Sequence, residues 1–562
     1  QVSRRLMGFY SSVLLPVQGL LSAAALVLLL TSYHQTKRIH RAGQLLKWDW
    51  LTVVLLFAGA AALRLLLPPP LLIHTNFHSL YFLENALGPR TTDPLELLGR
   101  APYGLTNYSF FQLCWAYLPR TWPVYTTINV LLAAATVPLV YLLIRLLNGT
   151  IWWGLAASML LMLLPAHLKM SPTESEITLS SFFALLALVH WTAFVRAPDK
   201  LLLAGTLAAL LLTVHSRVLT VAFPLALVVT WFVVPRQLRR PLPRVASLVG
   251  GSLWAVLAVP QYLYVVSFLA PANELANTAG ESLGGAGNSL AHVYASMARA
   301  FTLESNLLFD NEVTPLAIPL ALVIGSILLI WRRRWGGALL VGATVLLMML
   351  YHIHSGHLLD QLRYQFFLWP FVGILAGFAI AELCATLPHL YWRGGVLFFW
   401  LALLGWGVTA RMPFITVVPP SSREASFVLE NVWRLPDNSL LLEPQPLATS
   451  LRRTIAPLAI PSFILDEAEG GVLSLGTAAR IVGCRHAGRP VLTYVGLQNH
   501  VFHHEETCPN TRCLRIAPEI ASLGCRLEPV LTEEIDTHGP TPGPDLDFRF
   551  DRVEIGFYRL EQ

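Results

Sequence analysis

The chain has 562 residues, of which 55% are hydrophobic and only 13% are charged, and its formal net charge is +6. The charged fraction is about half that of an ordinary soluble domain, which excludes a single large soluble enzyme. The basic residues form no dense face interleaved with aromatic side chains, so a nucleic-acid-binding protein is excluded as well.

Apolar segments recur along the chain, at lengths that suit a hydrocarbon core about 30 Å thick, which about 20 helical residues cross. Twelve such segments are predicted, at 9–32, 49–68, 124–146, 151–168, 177–195, 201–215, 218–235, 245–269, 315–331, 336–352, 366–386 and 395–411. We therefore predict a polytopic α-helical membrane protein with about 12 transmembrane helices.

Basic residues concentrate in three of the connections between these segments. They are Lys37, Arg38, Arg41 and Lys47, then Arg236, Arg239, Arg240 and Arg244, and finally Arg332, Arg333 and Arg334. With twelve spans the three connections lie on one side, which the positive-inside rule makes cytoplasmic. Both chain ends are then predicted outside a cytoplasmic (inner) membrane. Arg4 and Arg5 disagree with this orientation unless the first segment is a peripheral helix.

The segments divide the chain into three predicted regions. Residues 1–48 form an N-terminal helix and a cytoplasmic loop, 49–411 a transmembrane domain, and 412–562 a soluble domain on the outer, periplasmic side. Two outer connections of the transmembrane domain are long, at 69–123 and 270–314.

Strand-like and helix-like pieces alternate in the C-terminal region. The predicted strands are Ser439–Leu442, Pro490–Val495 and Val553–Leu560, and helical patterns lie near 421–433 and 515–524. This alternation predicts a compact α/β domain.

Four cysteines lie in the same C-terminal region: Cys484, Cys508, Cys513 and Cys525. Four cysteines in a small domain favour two disulfides, and hence an oxidising compartment outside the cytoplasmic membrane. A zinc site is the alternative because thiolates are zinc ligands, but the spacing from Cys508 to Cys513 is looser than in a zinc knuckle.

Polar side chains are numerous at the predicted outer ends of the helices. In chain order they are His74, Asn76, His78, Glu84, His167, Lys169, Glu174, Glu176, His215, Arg217, His352, His354, His357, Asp360, Arg363 and Tyr364. Each residue alone also suits an ordinary interfacial loop. Because ionisable residues at membrane depth usually line a cavity or a pathway, the set predicts an outward-facing vestibule.

Three of these histidines are candidates for a divalent metal site. His352, His354 and His357 alternate along the chain, and His74 or His78 can complete a ligand set for zinc. The segment joins a helix end to a short loop, where the three rings need not converge. No metal cofactor is therefore predicted, and the three remain candidates.

Several stretches together resemble one superfamily of membrane enzymes. They are the outer loop with Tyr103-Gly104-Leu105, the apolar run 128–141, the stretch 171–176 before the helix that ends at Arg196, and Arg363-Tyr364 before another apolar helix. Over about 50–410 the chain resembles the GT-C glycosyltransferases that use polyprenyl-phosphate sugars, which include protein O-mannosyltransferases and aminoarabinose transferases.

This resemblance implies a reaction and a set of partners. A GT-C enzyme moves a sugar from a lipid-phosphate carrier in the membrane to an acceptor, such as a protein or glycan, at the outer face, usually with inversion. A carboxylate of the first outer loop acts as general base, and cations hold the donor phosphate. The implied substrate-binding residues are Arg363, Tyr364, Arg217, Lys169 and Glu174.

The sequence departs from this pattern where the acidic pair is expected, because it reads His74-Thr-Asn76-Phe-His78. His74 or His78 is then a candidate base, since imidazole titrates near neutral pH, and Glu84 is another. The alternative is a catalytically inactive relative that serves as a structural subunit of an envelope complex. A transporter is disfavoured, because the spans are polar mainly at their outer ends and show no duplication.

Overall fold

The computed structural model describes 32–67, 122–172, 177–216, 224–264, 308–309, 311, 313–333, 335–354, 366–416, 420–431, 434–436, 439–443, 462–464, 467–468, 471–472, 485–486, 488–496, 526–536 and 552–561. Within these ranges the chain forms two units. The first includes the described residues of 32–67 and 124–416, and the second includes those of 420–561 together with Trp122 and Pro123.

The first unit consists of helices joined by short connections within its described residues. Its helices are α1 Ser32–Gly43, α2 Lys47–Leu65, α3 Trp122–Leu146, α4 Ile151–Leu163, α5 Pro165–Met170, α6 Ile177–Arg196, α7 Lys200–Ser216, α8 Pro224–Val233, α9 Arg244–Tyr264, α10 Ala317–Arg333, α11 Trp335–His354, α12 Trp369–Thr386, α13 Leu390–Ala410 and α14 Met412–Thr416. Helices occupy eleven of the twelve predicted apolar segments, and segment 9–32 lies outside the described residues except for its last position.

Among the described residues, five helices are long and apolar enough to cross a membrane: Lys47–Leu65, Thr126–Leu146, Ile177–Arg196, Trp369–Thr386 and Leu390–Ala410. Large apolar side chains on the outside of the unit, such as Val245, Trp331 and Phe398, are more than two-thirds exposed. A lipid bilayer covers such a surface at no cost, and helices satisfy their own backbone groups within it. The chain is thus a polytopic helical membrane protein, and the number of twelve spans stays a prediction.

The three connections that carry the basic residues, which were predicted on the cytoplasmic side, lie together at one end of the helices. Arg38 of α1 forms an ion pair with Asp199 in the connection before α7. Arg196 donates to the carbonyl of Leu146 over 2.6 Å, and Arg333 donates to the carbonyl of Leu147 over 3.2 Å. Helix α1 was not predicted, because its residues were interpreted as loop. Which side of a membrane this end faces stays a prediction.

Glycines allow three helices to approach at backbone distance. A Cβ placed on Gly325 of α10 would overlap the carbonyl oxygen of Leu375 in α12. A Cβ on Gly377 of α12 would lie 2.6 Å from the backbone nitrogen of Ala157 in α4. Small residues at such contacts are the usual means by which membrane helices pack closely.

We expect Gly325→Ala to destabilise the helical unit by about 1–3 kcal/mol, because the added methyl group pushes α10 from α12. Thermal melting of the detergent-solubilised protein, followed by tryptophan fluorescence, measures the effect. The matched control is Gly342→Ala in α11, where a Cβ would meet no atom within 4 Å. Equal melting temperatures for the two variants would show that this close approach does not contribute to stability.

The second unit contains one helix and eight strands within the described residues. They are α15 Pro420–Asn431, β1 Leu440–Glu443, β2 Ser462–Ile464, β3 Glu467–Ala468, β4 Gly471–Val472, β5 Arg485–His486, β6 Arg489–Val495, β7 Arg526–Asp536 and β8 Arg552–Glu561. The main sheet has the order β2-β1-β6-β8-β7, with β5 paired to β6, and β3 and β4 form a separate pair. Strands β2, β1 and β6 are parallel, and β8 pairs antiparallel with β6 and β7.

Aromatic side chains connect α15 to the sheet. Phe557 of β8 lies 5.9 Å from Phe427 of α15 and 5.1 Å from Tyr494 of β6, between ring centroids. The Tyr494 hydroxyl donates to a carboxylate oxygen of Glu424 over 2.7 Å.

The three predicted strands and the predicted helix near 421–433 are present in the structure. The helical pattern at 515–524 and all four C-terminal cysteines lie outside the described residues, so the disulfides stay a prediction.

Candidate functional site

A buried arginine in the last turn of α2 organises the candidate site. Arg64 is only 1% exposed. Its Nε donates to the hydroxyl of Ser171 over 2.9 Å, its Nη1 donates to the carbonyl of Ala60 over 2.9 Å, and its Nη2 lies 2.6 Å from Nδ1 of His167. These contacts hold the guanidinium in one orientation between α2 and the α5 region.

The contacts of His167 determine where its proton resides. Because Nδ1 accepts from Arg64, the proton is on Nε2, which lies 3.3 Å from the hydroxyl oxygen of Thr136. That hydroxyl donates its own proton to the carbonyl of Ala133 over 2.6 Å and so can accept from His167. The imidazole also stacks on Phe366, with 4.4 Å between ring centroids. Both nitrogens are engaged, so His167 positions Arg64 and is not available as a general base.

The local sequence explains how His167 reaches this place. Helix α4 ends at Leu163 and the short α5 begins at Pro165, since proline is suited to a first turn but not to a helix interior. The break redirects the chain so that every residue of α5 is buried. The Ser171 hydroxyl donates to the carbonyl of His167 over 2.5 Å and leaves its oxygen to accept from Arg64.

The charge of Arg64 is not balanced within the described part of the chain, where no carboxylate pairs with it. Three of the five guanidinium N–H donors have acceptors there, which leaves two for a ligand or for other parts of the chain. An uncompensated buried cation costs several kcal/mol, and a bound anion offsets that cost. The cluster therefore has the chemistry of an anion site.

Lys169 lies on a different face of α5 from His167. It is two residues beyond His167, and this spacing turns the side chain by about 200° around a helix. Its ammonium donates to the carbonyl of Phe414 in α14 over 2.7 Å and lies 4.8 Å from the centroid of that ring. In the structure Lys169 connects α5 to α14, and its predicted contact with substrate is not tested.

The other predicted site residues fall mostly outside the described residues. These are His74, His78, Glu84, Glu174, Arg217, His357, Arg363 and Tyr364. His352 and His354 belong to the last turn of α11. Among the described residues no group of three histidines, cysteines or carboxylates can hold a metal ion, and the predicted histidine site is not tested.

Sequence reasoning missed Arg64, although a signal was present. Segment 49–68 is apolar, and Arg64 is a lone arginine near its end. An ionisable residue inside a membrane span indicates a functional site by default. The interpretation of segment 49–68 considered its length and overlooked this one charge.

No protein family matches the sequence, and no curated protein matches it. Among solved structures, the chain is similar to ArnT from Cupriavidus metallidurans in the apo state, with 13% identity, a TM-score of 0.46, and coverage of 90% of this chain and 97% of that chain. It is similar to the same protein bound to undecaprenyl phosphate, with 14% identity, a TM-score of 0.45, and coverage of 92% and 98%. Values this low assign neither a substrate nor a site to this chain.

Proposed function

We propose that this protein is a membrane glycosyltransferase, which transfers a sugar from a polyprenyl-phosphate-linked donor to an acceptor on the outer face of the cytoplasmic membrane. The observation that carries the proposal is Arg64. It is a buried, oriented cation at the end of an apolar helix, with no carboxylate partner in the described ranges.

The chemistry of a lipid phosphate suits this arginine. A guanidinium presents its donors in a planar fork that matches phosphate oxygens, and such charge-assisted hydrogen bonds are stronger away from water. The polyprenyl chain keeps the donor in the bilayer, next to the apolar helices. When the sugar leaves, negative charge grows on the phosphate, and a fixed cation stabilises that charge without reorganising.

The remaining roles are those that the resemblance to GT-C enzymes implies. We assign the donor phosphate also to Arg363 and Arg217, with Tyr364, Lys169 and Glu174 in substrate binding. The general base is His74, His78 or Glu84, since both nitrogens of His167 are already engaged.

Transfer of labelled sugar by the purified protein tests this proposal. Several isoprenoid-phosphate donors are supplied to the wild type, to Arg363→Ala and to the double variant His74→Ala/His78→Ala. We expect turnover by the wild type, loss of donor affinity in the first variant, and loss of turnover with retained donor binding in the second. Absence of both donor binding and turnover in the wild type would contradict the proposal.

The second candidate is an inactive relative that serves as a structural subunit of an envelope complex. The sequence His74-Thr-Asn76-Phe-His78 favours it, because Asn76 stands where an acidic residue is expected and an amide cannot take a proton. This candidate predicts that the wild type binds a polyprenyl phosphate but transfers no sugar from any donor.

A further inference from the structure

A cavity of about 640 Å³ lies at the end of the helices where the basic connections meet. It is open to the surface and is lined by α1, by the connection between α6 and α7, and by the segment that precedes α9. Four arginines line it, Arg38, Arg41, Arg196 and Arg240, together with a single carboxylate, Asp199.

Two of these arginines already have partners within the protein. Arg38 forms an ion pair with Asp199, and Arg196 donates to the carbonyl of Leu146. The side chains of Arg41 and Arg240 make no hydrogen bond or ion pair with any other described residue, and both are exposed. With Asp199 already paired, the cavity keeps an excess of positive charge.

We infer that this cavity is a binding site for a phosphate group, held by Arg41 and Arg240, with Arg196 also in its lining. Like charges around one cavity repel each other, and an anion between them turns that repulsion into attraction. The planar fork of arginine pairs with two phosphate oxygens at once, so two forks facing one space suit a phosphate better than a chloride ion.

The site is separate from Arg64 and does not rest on the proposed function. Arg196 is close to Arg145, which pairs with Asp49 at the start of α2. Arg64 lies 15 residues further along the same helix, roughly 22 Å at the helical rise. The phosphate can belong to an anionic lipid headgroup, since basic pockets at a membrane face bind such headgroups, or to a soluble phosphorylated compound.

Binding by the purified protein in detergent tests this inference and separates the two sources. One arm adds phosphatidylglycerol, with phosphatidylcholine for comparison, and counts retained lipids by native mass spectrometry. The other arm adds sodium pyrophosphate, with sodium chloride at equal ionic strength, and records thermal melting. We expect Arg41→Gln/Arg240→Gln to weaken binding of the active ligand by at least about tenfold.

The matched control is Arg236→Gln/Arg244→Gln, which removes two positive charges near Arg240 in the sequence without changing a residue that lines the cavity. It is expected to bind like the wild type. Arg41→Lys/Arg240→Lys keeps the charge but loses the fork, and is expected to bind with intermediate affinity even if the glutamine pair folds poorly.

Selective retention of phosphatidylglycerol would assign the site to a lipid headgroup, and stabilisation by pyrophosphate would assign it to a soluble compound. Either result supports a phosphate site when the cavity variants lose binding and the control does not. Failure of the wild type to bind either probe would overturn the inference, and so would equal weakening in the cavity and control variants.

Discussion

Arg64→Gln is expected to lower the affinity for a polyprenyl phosphate on the order of a hundredfold, because removal of one partner of a buried, hydrogen-bonded charge pair costs about 2–5 kcal/mol of binding free energy. The amide keeps the shape of the site but removes the positive charge and the fork. Because that charge is buried without a carboxylate in the described ranges, its removal is expected to leave the melting temperature unchanged or raise it.

A loss of affinity without a loss of thermal stability is the result that makes this experiment decisive. Binding of a labelled polyprenyl phosphate and thermal melting are measured on the same preparations. Ser171→Ala is the control, because it removes one hydrogen-bond partner of Arg64 but keeps the cation, and we expect a loss below about tenfold. A variant at Arg64 that melts earlier but binds the phosphate normally would show that this arginine serves only to join the helices.

Asp49→Asn is expected to destabilise the helical unit by about 3–5 kcal/mol, because it leaves the charge of Arg145 without its partner. The Asp49 carboxylate is fully buried. It accepts from the hydroxyl of Tyr141 over 2.5 Å, from Nε of Arg145 over 2.9 Å and from the backbone nitrogen of Leu46 over 2.7 Å. One side chain thus ties the start of α2 to the end of α3.

A double-mutant cycle measures this interaction. We expect Asp49→Asn/Arg145→Gln to cost less than the sum of the single variants, since neither charge is then left alone. The control pair is Arg332 and Glu382, whose contact of 3.1 Å is largely exposed on the arginine side and should contribute at most about 1 kcal/mol. Strict additivity at Asp49 and Arg145 would show that the two side chains act independently.

The predicted helices and strands depended on information that lies within short stretches of sequence. A run of about 20 apolar residues defines a membrane helix wherever it occurs, because the bilayer sets the required length. In the same way Pro490–Val495 and Val553–Leu560 were recognised as strands from their composition, and β6 and β8 contain them. Helix α1 was missed because its polar sequence resembles a loop, and its contacts with α6 and α7 hold it in place.

The sequence by itself thus determined the membrane class and the positions of the apolar helices. Only the tertiary structure decided which polar residues meet. It placed Lys169 against Phe414, joined Arg64 to His167 across 103 positions of sequence, and gathered Arg41 and Arg240 around one cavity. The physical reason is that apolar character is a property of each segment. The partner of a buried charge depends instead on how separate helices pack, and the spacing of residues along the sequence does not encode that packing.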